Sequence, residues 1–253
     1  MKRYALIGRR LGHSYSQQWF TALFTHLGLE GYRYDLCEMA SIEGLHEWVR
    51  REGICGLNVT VPFKRDVIAE LDALDDTASA IGAVNCITVE DGRLIGHNTD
   101  AQAFAETLLQ ILPTVKGMET LVLGTGGAAR AVAHASQSLC AKPILVSRHP
   151  DANHNCPWPI ISYSDIHTVG LHRPTIIVNA TPVGMFPDID TSPIERPATF
   201  FSQESLTLLY DLVYNPTPTL LMKQAASWGV KTADGLSMLH RQAELSWELF
   251  KNK

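Results

Sequence analysis

Apolar positions along this chain switch repeatedly between strand-like runs and helical spacing, and the switching predicts an architecture. Residues 4–8 read as a short strand. Trp19, Phe20, Leu23, Phe24 and Leu27 then recur at helical intervals. A second strand is expected over residues 32–36, and Ile42, Leu45, Trp48 and Val49 mark a second helix. A third strand is expected over 57–61, stopped by Pro62, which cannot donate to a ladder. Residues 84–89 and 93–95 flank Glu90-Asp91-Gly92, a hairpin signal. After a helix over 101–112, closed by Pro113, the pattern starts again. Strands are expected at 120–123, 144–146, 175–179 and 208–212, with helices after the first and last. Pro and His crowd residues 149–159, which read as a loop. Leu236, Leu239, Ala243, Leu245, Leu249 and Phe250 define an amphipathic helix after the Asp234-Gly235 turn. Gln242 sits among these apolar positions, and the helix can pack on either half.

Strand–helix alternation of this kind implies an α/β protein with parallel sheets. The restart near Asp100 divides the chain in two. Length allows this, since 253 residues make one large domain or two small ones. There are no internal repeats or low-complexity tracts. Hydrophobic residues make up 45% and charged residues 19%, an ordinary globular balance. A net charge of −5 argues against nucleic acid or an anionic membrane as a general partner, because both attract basic surfaces. No apolar run reaches membrane-spanning length. The first residues lack the long apolar region of a secretory signal. Five scattered cysteines, none in C-x-x-C, fit a reducing compartment, so a cytoplasmic location is expected. The ten histidines show no zinc spacing, and no metal is expected. His134, His149, His154, His167 and His172 read as surface or loop residues.

Chemistry enters at three places. Gly124-Thr125-Gly126-Gly127-Ala128-Ala129-Arg130-Ala131 follows an apolar run and opens an Ala-rich helical segment. The spacing fits G-x-G-x-x-G/A, with Ala129 in the third small position. Such a turn presents backbone N–H groups and a positive helix end to a pyrophosphate. The bland alternative is a tight turn without a ligand. Second, Gly56-Leu57-Asn58-Val59-Thr60-Val61-Pro62-Phe63-Lys64 puts Asn58, Thr60 and Lys64 at the carboxyl end of a strand, where open α/β sheets gather ligands. Third, Asn98-Thr99-Asp100 precedes a helix. Taken singly, Lys64 also reads as a solvated lysine, and Thr99 or Asp100 as a helix cap.

These segments do not stand singly. His13-Ser14-Tyr15-Ser16, the N-V-T-V-P-F-K block at 58–64, Gly82-Ala83-Val84-Asn85, Asn98-Thr99-Asp100, the glycine loop, Asn179-Ala180-Thr181-Pro182-Val183-Gly184-Met185, Tyr210-Asp211-Leu212-Val213-Tyr214-Asn215-Pro216, and Asp234-Gly235-Leu236-Ser237-Met238-Leu239 with Gln242-Ala243 follow in this order. In order and spacing the chain resembles the shikimate dehydrogenase family, from Ile7 to Ala243. The resemblance implies two α/β domains. A substrate domain, residues 1–100, is completed by the C-terminal helix 236–253, and a Rossmann-like dinucleotide domain covers 101–235. It implies NADPH-dependent, reversible reduction of 3-dehydroshikimate to shikimate by a monomer or homodimer. By the same resemblance Lys64 and Asp100 are the catalytic pair. Ser14, Ser16, Thr60, Asn85, Tyr214 and Gln242 are substrate ligands. Gly124, Thr125, Gly126, Gly127 and Ala128 form the pyrophosphate loop, and Ser147 and Arg148 take the adenosine phosphate. Leu212 and Gly235 border the nicotinamide, and Asp76 lies near the cofactor.

The residue types suit that chemistry. Hydroxyls of Ser14, Ser16, Thr60 and Tyr214 can donate to a carboxylate, while Asn85, Asp100 and Gln242 suit ring hydroxyls. An ammonium can stabilise the oxyanion that hydride transfer builds and can supply its proton. The reverse direction needs a proton acceptor, so alcohol oxidation is expected to improve at alkaline pH. Two stretches depart from the family pattern. Gly8-Arg9-Arg10-Leu11-Gly12-His13-Ser14-Tyr15-Ser16-Gln17 lacks both usual prolines, and Trp19-Phe20 replaces a usual His-Asn pair. In Ser147-Arg148-His149, with Ala152 beyond, only one of two usual basic residues remains. An NAD enzyme more often carries an acid at Ser147. The alternatives are a quinate/shikimate dehydrogenase preferring NAD and a non-catalytic dinucleotide-binding module.

Overall fold

The computed structural model describes residues 1–12, 14–152, 156–167, 175–194 and 205–252. It divides into two compact units, Met1–Asp100 with His240–Lys253, and Ala101–Leu239. Each is an α/β unit built on one six-stranded sheet.

In the first unit the elements run β1 (Lys2–Gly8), α1 (Ser16–His26), β2 (Tyr32–Glu38), α2 (Leu45–Glu52), β3 (Ile54–Val59), β4 (Ala73–Leu74), α3 (Asp76–Ile81), β5 (Cys86–Glu90) and β6 (Arg93–His97). The strand order is β2-β1-β3-β5-β6-β4. The expectation of parallel sheets fails here, because β5 is antiparallel to both β3 and β6. The hairpin at Asp91-Gly92, where φ is positive at both residues, sets β6 antiparallel to β5. Pairing of β3 ends at Val59, short of the expected Val61. Helix α3 escapes the periodicity because it is short. Asp75 caps it by accepting from the Ala78 N–H at 2.6 Å, and Gly82 closes it in the left-handed region.

Alternation along β1 splits the core into two layers. Ala5 and Ile7 face a cluster with Leu45, Val49, Leu57 and Phe63, whereas Tyr4 and Leu6 face Phe20, Phe24, Tyr34, Trp247 and Phe250. The last helix supplies Trp247 and Phe250 to this second layer. Gly56 on β3 makes room for it, since a Cβ there would stand 2.6 Å from the Phe250 ring. Tyr4 stacks on Phe250 at 5.0 Å and Phe20 on Tyr34 at 4.1 Å.

The second unit begins in α4 (Asp100–Ile111), just after its first residue, and continues with β7 (Glu119–Leu123), α5 (Gly127–Ser138), β8 (Lys142–Ser147), β9 (Ile160–Ser162), β10 (Thr175–Asn179), β11 (Leu206–Asp211), α6 (Leu220–Ser227) and β12 (Lys231–Ala233). All pairings are parallel, in the order β12-β11-β10-β7-β8-β9. This is the Rossmann-like order, with the direction of winding reversing between β7 and β10. Helix α7 (Leu236–Lys251) closes the chain, contributing His240 onward to the first unit. Strands β9 and β12 are too short for a period-2 signal and lie outside the sequence expectation. Among the described residues no helix is long and apolar enough to cross a membrane.

Candidate active site

The carboxyl ends of β3 and β6 bring Lys64 and Asp100 together. The Lys64 Nζ donates to Asp100 Oδ2 at 2.6 Å, with only 17% of the lysine and 6% of the aspartate side chain exposed. Asn85 Nδ2 donates to the other carboxylate oxygen at 2.9 Å. Both carboxylate oxygens therefore accept from side chains, and the lysine is not solvated freely. Asn85 is itself fixed, because its Oδ1 accepts from the Thr99 N–H at 2.7 Å. Its Nδ2 also reaches Thr99 Oγ1 at 2.9 Å and Gln242 Oε1 at 3.4 Å. Gln242 arrives on α7, so a residue remote in sequence joins the cluster.

Buried polar groups lie beneath these residues. Asn58 Nδ2 donates to Ser246 Oγ at 2.8 Å and to the Asn85 carbonyl at 3.2 Å, while its Oδ1 accepts from the Tyr34 hydroxyl at 2.8 Å. The Cys86 thiol in this layer is pushed up to about 12, chiefly by burial, against a hydrogen bond to Ser246. No motif singles out Ser246, although a serine four residues after Gln242 on an apolar helix face is a visible signal. In the sequence Asn58 reads only as a strand end, and Thr99 only as a cap.

Thr60 faces the end of β1, its N–H donating to the Ile7 carbonyl at 2.9 Å. Ser16 starts α1 and Ser14 lies two residues before it, its hydroxyl accepting from the Ser16 N–H at 3.3 Å, and both are half-buried. His13 lies outside the described residues. Tyr214 belongs to the second unit, beyond the end of β11.

In the second unit the glycine loop joins β7 to α5. Gly124 has φ +111°, and a Cβ there would stand 3.3 Å from the Ala180 carbonyl oxygen and 3.2 Å from Thr181. Gly126 caps α5 with no side-chain bond, next to open space, and no acidic residue occupies the first turn. Thr125, Gly127 and Ala128 surround it. The N-terminal N–H groups of α5 thus face a position suited to an anion. Ser147 ends β8, its hydroxyl accepting from the His149 N–H at 3.0 Å, and Arg148 follows, exposed. Burial pushes the Tyr163 phenol up, with the nearby Arg148 charge working against it. Gly235 packs on Leu212 so closely that a Cβ would stand 2.0 Å from the Leu212 carbonyl oxygen. Asp76 lies in the first turn of α3.

Sequence reading also passes over a buried carboxylate. Asp211, at the end of β11, accepts from Asn179 Nδ2 at 2.9 Å, the Val213 N–H at 3.0 Å and the Thr219 hydroxyl at 2.7 Å. Burial nonetheless raises it from 3.8 to about 6. His134, expected at the surface, is half-buried on α5 instead, whereas His149 is exposed. His154, His172 and the His167 side chain lie outside the described residues. No group of three metal-binding side chains occurs among the described residues.

Residues 6–87 match the family described as the shikimate dehydrogenase substrate binding domain. The shikimate dehydrogenase (NADP(+)) of Bacillus subtilis (strain 168) is 32% identical over 98% of this chain and 91% of its own length. This chain belongs to the shikimate dehydrogenase family. Another member, the shikimate dehydrogenase (NADP(+)) of Shouchella clausii (strain KSM-K16), is 34% identical over 98% of the chain and 92% of its own length. The structure of shikimate 5-dehydrogenase from Thermus thermophilus in complex with NADP(H) and shikimate has a TM-score of 0.85 at 32% identity. The match covers 100% of this chain and 93% of that one. As a shikimate dehydrogenase family member, the protein is an oxidoreductase.

Proposed function

We propose that this protein interconverts 3-dehydroshikimate and shikimate with NADP(H), with Lys64 and Asp100 as its catalytic pair. The observation that carries this reading is the Lys64 ammonium, held 2.6 Å from a buried carboxylate that Asn85 fixes on its other side. The unit Met1–Asp100 with His240–Lys253 then holds the substrate, and Ala101–Leu239 the dinucleotide. Ser14, Ser16, Thr60 and Tyr214 donate to the substrate carboxylate. Asn85, Asp100 and Gln242 hold the ring hydroxyls.

The residues of the second unit fit the cofactor. The backbone at Gly124, Thr125, Gly126, Gly127 and Ala128, with the positive end of α5, receives the pyrophosphate. Arg148 grips the 2′-phosphate with its guanidinium, and Ser147 puts no carboxylate in the way. Leu212 and Gly235 border the nicotinamide, and Asp76 lies near the cofactor. When bound, NADPH supplies the hydride that adds to the C3 ketone carbon.

Lys64 acts at the ketone oxygen. As the carbon–oxygen double bond becomes single, negative charge grows on that oxygen, and the ammonium stabilises it and transfers a proton. Lys64 is left neutral and regains its proton from solvent. Asp100 aims the lysine and accepts from a ring hydroxyl. In the oxidative direction the C3 hydroxyl must lose a proton to an acceptor, so shikimate oxidation rises toward alkaline pH.

Two other readings are weaker. A quinate/shikimate dehydrogenase preferring NAD finds no acidic residue at Ser147 to hold a bare ribose. A non-catalytic module has no use for a half-buried lysine paired with a buried aspartate. Rates of NADPH and NADH formation from shikimate and from quinate, compared side by side, test all three. Shikimate with NADP must be the best pair; faster turnover with NAD, or binding without turnover, refutes the proposal.

A further inference from the structure

The residues proposed to grip the substrate rest on a chain of buried hydrogen bonds that none of their roles requires. Ser246 lies one helical turn below Gln242 on α7 and is fully buried. Its hydroxyl donates to the Gln242 carbonyl at 2.8 Å and accepts from Asn58 Nδ2 at 2.8 Å. Thr99 Oγ1 donates to the same Gln242 carbonyl at 3.1 Å and stands 3.3 Å from Ser246 Oγ. Asn58 spans the gap to the sheet, donating to the Asn85 carbonyl and accepting from the Tyr34 hydroxyl. The Asn58 amide thus ties β2, the start of β5 and α7 together.

The surroundings make the arrangement informative. Phe20, Tyr34, Cys86, Ala243, Trp247 and Phe250 form a buried apolar layer, and α7 supplies the last three of them, on either side of Ser246 in sequence. A polar network in such a dry layer is costly unless satisfied, and when satisfied it fixes one geometry. Its two ends are Asn85 and Gln242, whose side chains meet at 3.4 Å beside Asp100. Apolar packing alone leaves α7 free to slide or rotate by small amounts, because such contacts have no direction. Hydrogen bonds from Asn58 and Thr99 fix its depth and rotation at Gln242.

Resting on the function proposed above, we propose that Ser246, braced by Asn58 and Tyr34, is a positioning residue that sets the Gln242–Asn85 spacing and so the affinity for the hydroxylated ring. It touches no substrate and moves no proton. Removing its hydroxyl leaves one Asn58 N–H without its acceptor and lets α7 settle differently under Gln242. Turnover, governed by Lys64, is largely preserved.

The test uses steady-state kinetics with the full chain. Ser246→Ala should raise the shikimate KM about fivefold to twentyfold, the scale of one lost hydrogen bond under a ligand. The kcat should stay within about threefold, and the NADP KM unchanged, the pattern of lost uniform binding. Tyr34→Phe keeps the ring stack on Phe20 but removes the hydroxyl from Asn58, and should raise the shikimate KM about twofold to threefold. In the double variant the increase should fall short of the product of the two, as in one connected chain. A shikimate KM within twofold of wild type in Ser246→Ala, with thermal stability lowered, makes the network a core bond only and overturns the inference. Independent, multiplicative effects also overturn it. A wild-type protein that does not oxidise shikimate refutes the functional reading instead, so the two failures are distinguishable.

Discussion

The Lys64–Asp100 pair should behave as one device, and a double-mutant cycle on Lys64→Met and Asp100→Asn measures whether it does. Methionine keeps much of the lysine's length without its charge. Loss of a preorganised charge stabiliser costs about 10²–10³ in turnover, or about 2.7–4 kcal/mol in the barrier. Asparagine is not a neutral copy of Asp100 here. Asp100 accepts at both oxygens, from Lys64 and from Asn85, whereas asparagine presents one acceptor and one amide donor. One of the two bonds must be lost, at about 1.5–3 kcal/mol for a hydrogen bond to a charged group. Independent residues would give a double variant impaired by about 4–7 kcal/mol. If Asp100 works through Lys64, the double variant should instead turn over within about threefold of Lys64→Met alone. Folding gives a parallel reading. Breaking a buried pair costs about 3–5 kcal/mol, and the partial exposure of Lys64 together with the surviving Asn85 bond reduces that to about 2. Initial rates of NADPH formation at saturating shikimate and NADP supply the first measurement, and urea unfolding the second. Additive barriers, or Lys64→Met with near wild-type turnover, would refute the reasoning.

Gly235→Ala forces its Cβ against the Leu212 carbonyl at 2.0 Å and should cost about 1–3 kcal/mol while raising the NADP KM; Gly126→Ala, pointing into open space, should leave thermal stability nearly unchanged. Asp211 titrates at about 6 when folded and near 3.8 otherwise, so the folded chain binds the extra proton and wild-type stability falls as pH rises from about 4 to 6, by at most about 3 kcal/mol. Asp211→Asn should lack that slope, and urea unfolding at pH 4.5 and 7.5 checks it; a constant difference between the two proteins refutes the assignment. Arg148→Ser should lower NADP efficiency by about 1.5–3 kcal/mol and NAD efficiency much less, read from kcat/KM with each cofactor; equal losses would remove the 2′-phosphate contact.

Local features of this protein are legible without coordinates because their causes are local. The alternation of Tyr4, Ala5, Leu6 and Ile7 produces a strand buried on both faces. Asp91-Gly92 makes a hairpin because its composition tolerates positive φ. The glycine loop opens α5 because a strand followed by glycines and alanines has few other outcomes. Lys64, Asp100 and Gln242 can be named from ordered motifs. Tertiary structure decides what each of them meets. Lys64 and Asp100 are 36 residues apart, and only a sheet that places β3 and β6 on either side of β5 brings them within 2.6 Å. The mixed direction of the first sheet, the two-residue β4 and the short α3 carry no periodic signal, since pairing with distant strands and a single cap define them. The final helix has an apolar face that fits either half, and the space above Gly56 selects the first. Ser246, Asn58 and Asp211 are polar letters in apolar surroundings, and their partners come from elements up to 188 residues away. Burial and hydrogen-bond satisfaction are properties of the assembled interior, so their roles arise only when the layers close.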